Sequence, residues 1–285
     1  MSSSRRNFFR DLAAAAARAL PDMEDRLEVE FITEPPPPLL SDAEMDRYSR
    51  QLLLPEFSEL SQIALRDANV LVIGAGALGS PVASYLAGAG VGRLGIADPD
   101  AVEISNLARQ QLHFTPDEGS PKAESAAAKL RFLNPEILVE AYQVRVEEAN
   151  VRGLVEQQDL VVDCTDSFET RYLVNAACCA AGVPLVEGGV AGWSGLVMPI
   201  RPGETACYRC AFPTVPEGAR SCAEAGVLGP AAGIVGSLQA LEAIKLLTAT
   251  APPLTDAFLQ IDLLSLDVLR VNVQRRPDCP DCREA

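Results

Sequence analysis

The sequence predicts an α/β fold, a mostly parallel sheet with helices on both faces, extended by antiparallel strands near the C-terminus. Three observations predict it. From residue 68 to 100 the chain reads A-N-V-L-V-I-G-A-G-A-L-G-S-P-V-A-S-Y-L-A-G-A-G-V-G-R-L-G-I-A-D-P-D: a β-branched run at 70–73, a glycine-rich turn, a helix over 77–89 and a second strand ending in Asp98. Beyond it, strands at 137–144, 160–163, 184–186 and 195–200 alternate with helices at 122–132, 147–157 and 168–181. Residues 257–262 and 266–273 then read as two alternating strands joined by a short turn, a hairpin added antiparallel. Such a sheet is Rossmann-like.

Gly74, Gly76 and Gly79 satisfy G-x-G-x-x-G. These glycines let the backbone turn tightly and approach a phosphate, and the following helix presents free N–H groups and the positive end of its dipole. Asp98, ending the second strand, is placed to accept hydrogen bonds from a ribose hydroxyl. The plainer alternative is a turn that only packs a helix close to a strand. The pattern leaves the nucleotide open.

With 285 residues, 48% of them hydrophobic, the chain has material for a sizeable core and reads as soluble and globular. A net charge of -15 argues against nucleic acid or an anionic membrane as the main partner. No segment offers the roughly 18 uncharged apolar residues of a membrane span. Ser4-Arg5-Arg6-Asn7-Phe8-Phe9-Arg10 looks like a twin-arginine export motif, but Asp11 borders the apolar stretch behind it and Arg18 interrupts that stretch, and the expected location is cytoplasmic.

Residues 1–40 read as an N-terminal extension: an alanine-rich helix, an acidic segment and the stiff spacer Pro35 to Pro38. The main domain is expected over 41–285. It opens on Ser41-Asp42-Ala43-Glu44, a capping-box pattern starting a helix that carries Arg47, Tyr48, Arg50 and Gln51. By periodicity alone, the two arginines form a solvated basic face. Residues 101–121 are a long connection dense in polar groups, including Asn106, Arg109, Gln110, Gln111 and His113, and long connections of this kind are usually functional. Residues 201–232 read as an irregular loop, followed by a helix over 233–247.

Two C-x-x-C pairs, Cys207/Cys210 and Cys279/Cys282, carry the metal signal. Each spacer lets two thiolates face one ion, and together they complete a closed tetrahedral site suited to structural Zn2+. Two disulfides or a redox pair are the alternatives. Cys164, Cys178 and Cys179 lie in apolar stretches and read as packed thiols.

Arg109, Lys122 and Asp166 all leave the carboxyl edge of the expected sheet. Cleaving a nucleoside triphosphate requires cations for the phosphates and a carboxylate for Mg2+, whereas hydride transfer needs none of these beside a dinucleotide, so the pattern favours ATP over NAD.

Taken together, Arg47-Tyr48-Ser49-Arg50-Gln51, G-A-G-A-L-G-S from Gly74, D-P-D-A-V-E-I-S-N-L-A-R-Q from Asp98, Pro121-Lys122, D-C-T-D-S from Asp163, C-Y-R-C from Cys207, C-A-E-A-G-V-L-G-P from Cys222 and the final C-P-D-C resemble the MoeB/ThiF/HesA family, bacterial relatives of ubiquitin-activating enzymes. The resemblance spans about residues 41–282. It implies an adenylyltransferase that uses ATP and Mg2+ to activate the C-terminal glycine of a ubiquitin-like sulfur carrier ending in Gly-Gly, for molybdopterin or thiamine synthesis. Position by position, it implies nucleotide contacts along the turn Gly74, Gly76, Ala77 and Gly79, with Asp98 on the ribose. Asn106, Arg109 and Lys122 would contact the phosphates, Asp166 would bind or organise Mg2+, and Gln110 and Ser167 would belong to the same cofactor-binding set. It also implies that Arg50 reaches the phosphates of a neighbouring subunit, which makes the protein a homodimer and reverses the solvated-face reading.

Two departures stand out: Asp166-Ser167 replaces the common Asp-Asn, and Ala77 stands where a further glycine is common. Cys222 matches a cysteine that bonds covalently to the carrier in some relatives and is dispensable in others. With no rhodanese-like domain after the last cysteine pair, the sulfur is expected from a separate donor such as a cysteine desulfurase or rhodanese. The competing readings are an NAD-dependent oxidoreductase, resting on the glycines and Asp98, and a non-catalytic carrier-binding scaffold.

Overall fold

The computed structural model describes residues 39–215 and 225–283. Eight strands form one sheet in the order β3-β2-β1-β4-β5-β6-β7-β8. The first five in that order are parallel: β3 (Leu138–Tyr142), β2 (Arg93–Ala97), β1 (Asn69–Ile73), β4 (Leu160–Asp163) and β5 (Leu185–Ala191). The remaining three, β6 (Ser194–Ile200), β7 (Ala257–Asp262) and β8 (Asp267–Asn272), run antiparallel. This is the expected architecture.

Strand β1 shows why the parallel part reads as an unbroken apolar run. Val70 and Val72 enter one core, while Leu71 and Ile73 enter the other, so both faces are covered. The first core lies under helices α3 (Gly79–Ala89), α4 (Lys122–Leu133) and α8 (Gly229–Thr248). The second lies under α5 (Val151–Val155), α6 (Phe168–Ala181) and α7 (Tyr208–Ala211), and includes the four cysteines of the two pairs. Helix α8 is long and apolar enough to cross a membrane by length and composition, but it packs on α3, β5 and β6 as a core helix.

Several elements differ from expectation. Helix α1 (Asp42–Arg47) starts at the predicted capping box, with the Glu44 amide donating to Ser41 Oγ at 3.2 Å and the Ser41 amide to Glu44 Oε2 at 2.8 Å. It stops before Arg50, because Tyr48 turns into the core, where its hydroxyl accepts from Asn134 Nδ2 at 3.0 Å. Arg47 and Arg50 therefore do not share a helix face. Helix α2 (Glu59–Asp67) was not expected; it is capped by Ser58 and Ser61, without the acidic residue that marked α1.

Strand β5 runs through Glu187, Gly188 and Gly189, which interrupt the apolar pattern. The glycines are there for space: a Cβ on Gly188 would lie 2.0 Å from the Gln239 side chain, and one on Gly189 2.9 Å from the Arg171 guanidinium. Helix α5 is shorter than 147–157, because Asn150 folds the preceding residues into a turn, accepting from the Glu147 amide and donating to the Arg145 carbonyl. Helix α7 interrupts the expected loop, and α8 begins at Gly229, with Pro230 in a first turn that does not need its missing N–H.

Close packing makes one glycine indispensable and leaves another free. A Cβ on Gly92 would fall 1.7 Å from the Arg66 carbonyl oxygen, while one on exposed, helical Gly153 meets nothing within 4 Å. Gly92→Ala is expected to lower stability by about 3 kcal/mol, and Gly153→Ala to raise it by about 0.5–1 kcal/mol. Urea unfolding midpoints of the two variants check this.

Candidate active site

The strand order reverses between β1 and β4, and open α/β sheets bind ligands outside the carboxyl ends of the strands at such a point. A cavity of about 190 Å³ lies there, walled by Gly74, Gly76, Ala77, Asp98, Arg109, Gln110, Lys122, Asp166 and Ser167. An adjoining polar hollow of about 360 Å³ shares Asp100, Arg109, Gln110, Lys122 and Asp166 with it and adds Asn106. The tertiary structure thus gathers nine of the expected residues in one wall and Asn106 beside them. Gly79 lies behind the wall, exposed Arg50 lies on the turn after α1 outside both cavities, and Cys222 falls outside the described residues.

The three glycines divide their work. Gly74 takes φ +96°, a conformation that side chains disfavour. A Cβ on Gly79 would lie 1.8 Å from the Gly74 carbonyl oxygen, so Gly79 permits contact between helix and turn. At Gly76 a Cβ would meet nothing nearer than Gln110 Nε2 at 3.6 Å, and the space before this residue is the cavity itself. Among the described residues, no acceptor takes the amides of Gly76, Ala77 or Leu78. They are the free donors of a helix start.

Asp98 builds the turn as well as facing the cavity. Its Oδ2 accepts from the Ala75 amide at 2.7 Å and its Oδ1 from the Asp100 amide at 2.8 Å, leaving lone pairs for a hydroxyl. Lys122 begins α4 and is almost buried. Its amide donates to the Asp100 carbonyl at 2.9 Å, and its Nζ reaches Asp100 Oδ2 at 3.2 Å. Arg145, in the loop after β3, approaches the same carboxylate at 3.9 Å and lines the cavity. Neither Asp100 nor Arg145 was singled out from the sequence. D-P-D offered a signal for the first; the second stands in no motif. Arg109 Nη1 donates to the Ser105 carbonyl at 2.9 Å, and its segment is held where it is because Gly229 opens α8 against the Ala108 carbonyl, where a Cβ would come within 2.8 Å.

The turn after β4 carries Asp166. Asp163 Oδ1 accepts from the Thr165 amide at 2.8 Å, Arg171 donates twice to the Thr165 carbonyl at 2.8 and 3.2 Å, and Gln239 Nε2 donates to the Asp163 carbonyl at 2.8 Å. Ser167 Oγ caps α6 by accepting from the Thr170 amide at 3.3 Å, so its hydroxyl serves the helix as well as the wall. Asp163 is in register with Glu187 on β5, and both are fully buried. Burial, reinforced by the Asp163 charge, pushes the Glu187 carboxyl well above the usual carboxylate range, and burial also raises Asp163. The Asp166 carboxylate, by contrast, is exposed and has no intramolecular partner among the described residues. Gln110 Oε1 is buried in the cavity wall without a partner among the described residues.

On the far side of α6, Cys207, Cys210, Cys279 and Cys282 converge, all buried, with their four Sγ atoms within 4.8 Å of one another. The Sγ separations of 3.8, 3.6 and 3.5 Å match the edge of about 3.8 Å that a tetrahedron of Zn–S bonds requires. They are far beyond disulfide bonding at roughly 2.05 Å. Burial pushes the Cys210 and Cys282 thiols up, so a cation is what would draw off their protons. The surrounding contacts are satisfied: the Arg276 amide points at Cys210 Sγ at 3.4 Å, and Asp281 Oδ2 accepts from Asn175 Nδ2 and Arg209 Nε, each at 2.8 Å. Cys164, Cys178 and Cys179 are buried, as expected.

Fold and site define a nucleotide-binding α/β protein whose C-terminal segment is tied back by four cysteines. The chain belongs to the ThiF family, whose model matches residues 48–281. It is 46% identical over 246 residues to a sulfur carrier protein adenylyltransferase of Thermus thermophilus, covering 84% of this chain and 91% of that protein. It is 42% identical over 245 residues to the molybdopterin-synthase adenylyltransferase of Escherichia coli, covering 85% and 98%. With the pig protein named adenylyltransferase and sulfurtransferase MOCS3, identity is 44% over 272 residues, 94% of this chain, and the chain spans only 60% of that relative's length. Among solved structures, E. coli MccB with ATP superposes with a TM-score of 0.75 at 26% identity, covering 84% of this chain and 75% of that one.

The cysteine geometry gives a direct expectation. Purified protein should carry about one equivalent of zinc, released when the thiols are blocked, and Cys279→Ser should reduce the metal content and lower the thermal midpoint. Elemental analysis beside calorimetry checks both.

Proposed function

We propose that this chain is an adenylyltransferase that uses ATP and Mg2+ to activate the C-terminal glycine of a ubiquitin-like sulfur carrier ending in Gly-Gly. The observation that carries this reading is the convergence of Arg109, Lys122 and the unpartnered Asp166 beside free backbone amides. A dinucleotide used for hydride transfer has no need of that cation and carboxylate set. The buried, partnerless Gln110 Oε1, with the open space before Gly76, fits a polar ligand of this character.

In the reaction, a carboxylate oxygen of the carrier's terminal glycine forms a bond to the α-phosphorus. The bridging bond to the β-phosphate breaks, and pyrophosphate leaves with the electron pair. Both reactants are anionic, so alignment and neutralisation are the main contributions open to the protein. Lys122 and Arg109 supply positive charge, with Asn106 and Gln110 beside them. The amides after Gly76 receive phosphate oxygens, and Asp98 accepts from the ribose. Bound Mg2+, held through Asp166, would neutralise phosphate charge. Lys122 reaches the phosphates by releasing Asp100, its present partner.

The carrier's tail enters along a largely apolar cavity of about 420 Å³, which meets the nucleotide cavity at Asp166 and Val190 and is lined by Phe168, Leu196, Tyr208, Phe212 and Phe258. Arg50 serves the site of a second subunit, so the active form is a homodimer. Residues 41–285 form the adenylation domain, with 1–40 appended to it. Sulfur then comes to the activated tail from a separate donor such as a cysteine desulfurase or rhodanese. Cys164, the described cysteine in the cavity wall, has its thiol pushed well up by burial and is a poor nucleophile. Adenylation itself requires no thiol, and Cys222 would act only in a later covalent step. Molybdopterin synthesis is the first pathway to test and thiamine synthesis the second. The four thiolates of the zinc site favour a reducing, cytoplasmic setting.

The decisive measurement is ATP–pyrophosphate exchange in the presence of carriers ending in Gly-Gly. Arg109→Ala and Asp166→Asn should each reduce exchange by about 100-fold or more while leaving the unfolding curve unchanged. A wild-type protein inert to ATP, or an Arg109→Ala variant with full exchange, overturns the assignment.

A further inference from the structure

The chain has a single histidine, His113, and it is buried directly behind the glycine-rich turn. Its Nε2 lies 2.8 Å from the Ala75 carbonyl oxygen and its Nδ1 2.9 Å from Ser125 Oγ. A carbonyl only accepts, so Nε2 carries the hydrogen, and Nδ1 is then the acceptor for the Ser125 hydroxyl. Ser125 Oγ in turn accepts from Lys129 Nζ at 2.8 Å, and Lys129 is paired with Asp117. The result is one directed run of donors, Lys129 to Ser125 to His113 to the Ala75 carbonyl, with Lys129 donating to Asp117 as well, in which each donor strengthens the next.

Its end point matters because of what lies opposite. The Ala75 amide donates to Asp98 at 2.7 Å, so the peptide groups on the two sides of Ala75 are each fixed, one by Asp98 and the other by His113. The Ala75 carbonyl belongs to the same planar peptide as the Gly76 amide. Fixing that oxygen therefore sets the direction in which the unpaired Gly76 N–H points. At Gly76 the backbone has few other restraints, since its own lack of a side chain leaves it permissive.

We propose that His113, as the Nε2–H tautomer, is a positioning residue that orients the Gly76 amide toward the bound phosphate. The inference rests on the ATP-binding reading above and names a residue that acts through the turn rather than touching the nucleotide. Groups facing the imidazole are Lys129 and Lys122 from α4 and Asp117 from the turn before it. Burial holds His113 below its ordinary value, and the two lysines add to this, against the Ala75 carbonyl and Asp117. A neutral ring at physiological pH follows. Because the folded value lies below the unfolded one, stability falls as pH drops from about 6.5 towards the folded value, and nucleotide affinity falls only where the folded ring itself takes up a proton.

The single histidine makes the test direct. In untagged full-length protein, long-range proton–nitrogen NMR should show one imidazole signal of the Nε2–H tautomer that stays neutral well below pH 6.5. An Nδ1–H tautomer, or titration at the ordinary value, overturns the proposal whether or not the protein binds ATP. For the functional arm, wild-type ATP binding is first established by calorimetry; absence of binding there refutes the functional reading, not the tautomer.

His113→Leu should then weaken ATP binding about tenfold, the worth of one well-placed hydrogen bond. His113→Gln, whose amide nitrogen can take the place of Nε2, should recover most of the loss and remove the acid-side fall in affinity. If His113→Leu does not fold, Ser125→Ala provides the reading, with a smaller loss of affinity and a shifted pH profile. Wild-type affinity in the Leu variant, or in Ser125→Ala together with an unaltered pH profile, overturns the proposal.

Discussion

The structure depends on one close approach: α3 lies so near the end of β1 that the Gly74 carbonyl oxygen occupies the place of any side chain on Gly79. That contact lets α3 start immediately after the strand, and it turns the free amides of the helix start into the cavity wall. It also fixes where Asp98 can meet the Ala75 amide. If the helix moved out by the width of a methyl group, the cavity-facing donors and the acidic residue beside them would no longer share one surface.

Around that point, each charged side chain is held by structure that does no chemistry itself. Lys122 starts a helix anchored to the backbone of Asp100, and Arg109 lies on a segment packed against the first turn of α8. Asp166 sits on a turn secured by Asp163, Arg171 and Gln239. The costly part is beneath the turn, where Asp163 and Glu187 are side by side and buried with few partners. Their ionisation is suppressed by burial, and Arg171 offsets part of the remaining charge. Such a cluster contributes more to the shape of the turn than to net stability.

The four-cysteine cluster serves the same end from the other side of the sheet. It joins the segment containing α7 to the end of the described chain, and its neighbours Tyr208 and Phe212 form part of the apolar cavity that opens at Asp166. An ion held by the four thiols would close that long loop and stabilise it.

The sequence by itself determined the sheet, its two-sided core and the glycine turn, because those depend on local periodicity and on residues whose backbone needs are specific: G-x-G-x-x-G, C-x-x-C and S-x-x-E. It also brought most of the cavity wall within reach, through Asp98, Arg109, Gln110, Lys122 and Asp166. Only the tertiary structure decided what those side chains meet. The pairing of Lys122 and Arg145 with Asp100, the burial of Glu187 beside Asp163, and the contact of His113 with Ala75 join residues separated by 22 to 45 positions or lying on adjacent strands. No local pattern encodes a hydrogen bond between elements that meet only when the sheet closes. The same reason explains the misread strand at Glu187-Gly188-Gly189, whose residues suit their neighbours Gln239 and Arg171 rather than a strand's own periodicity.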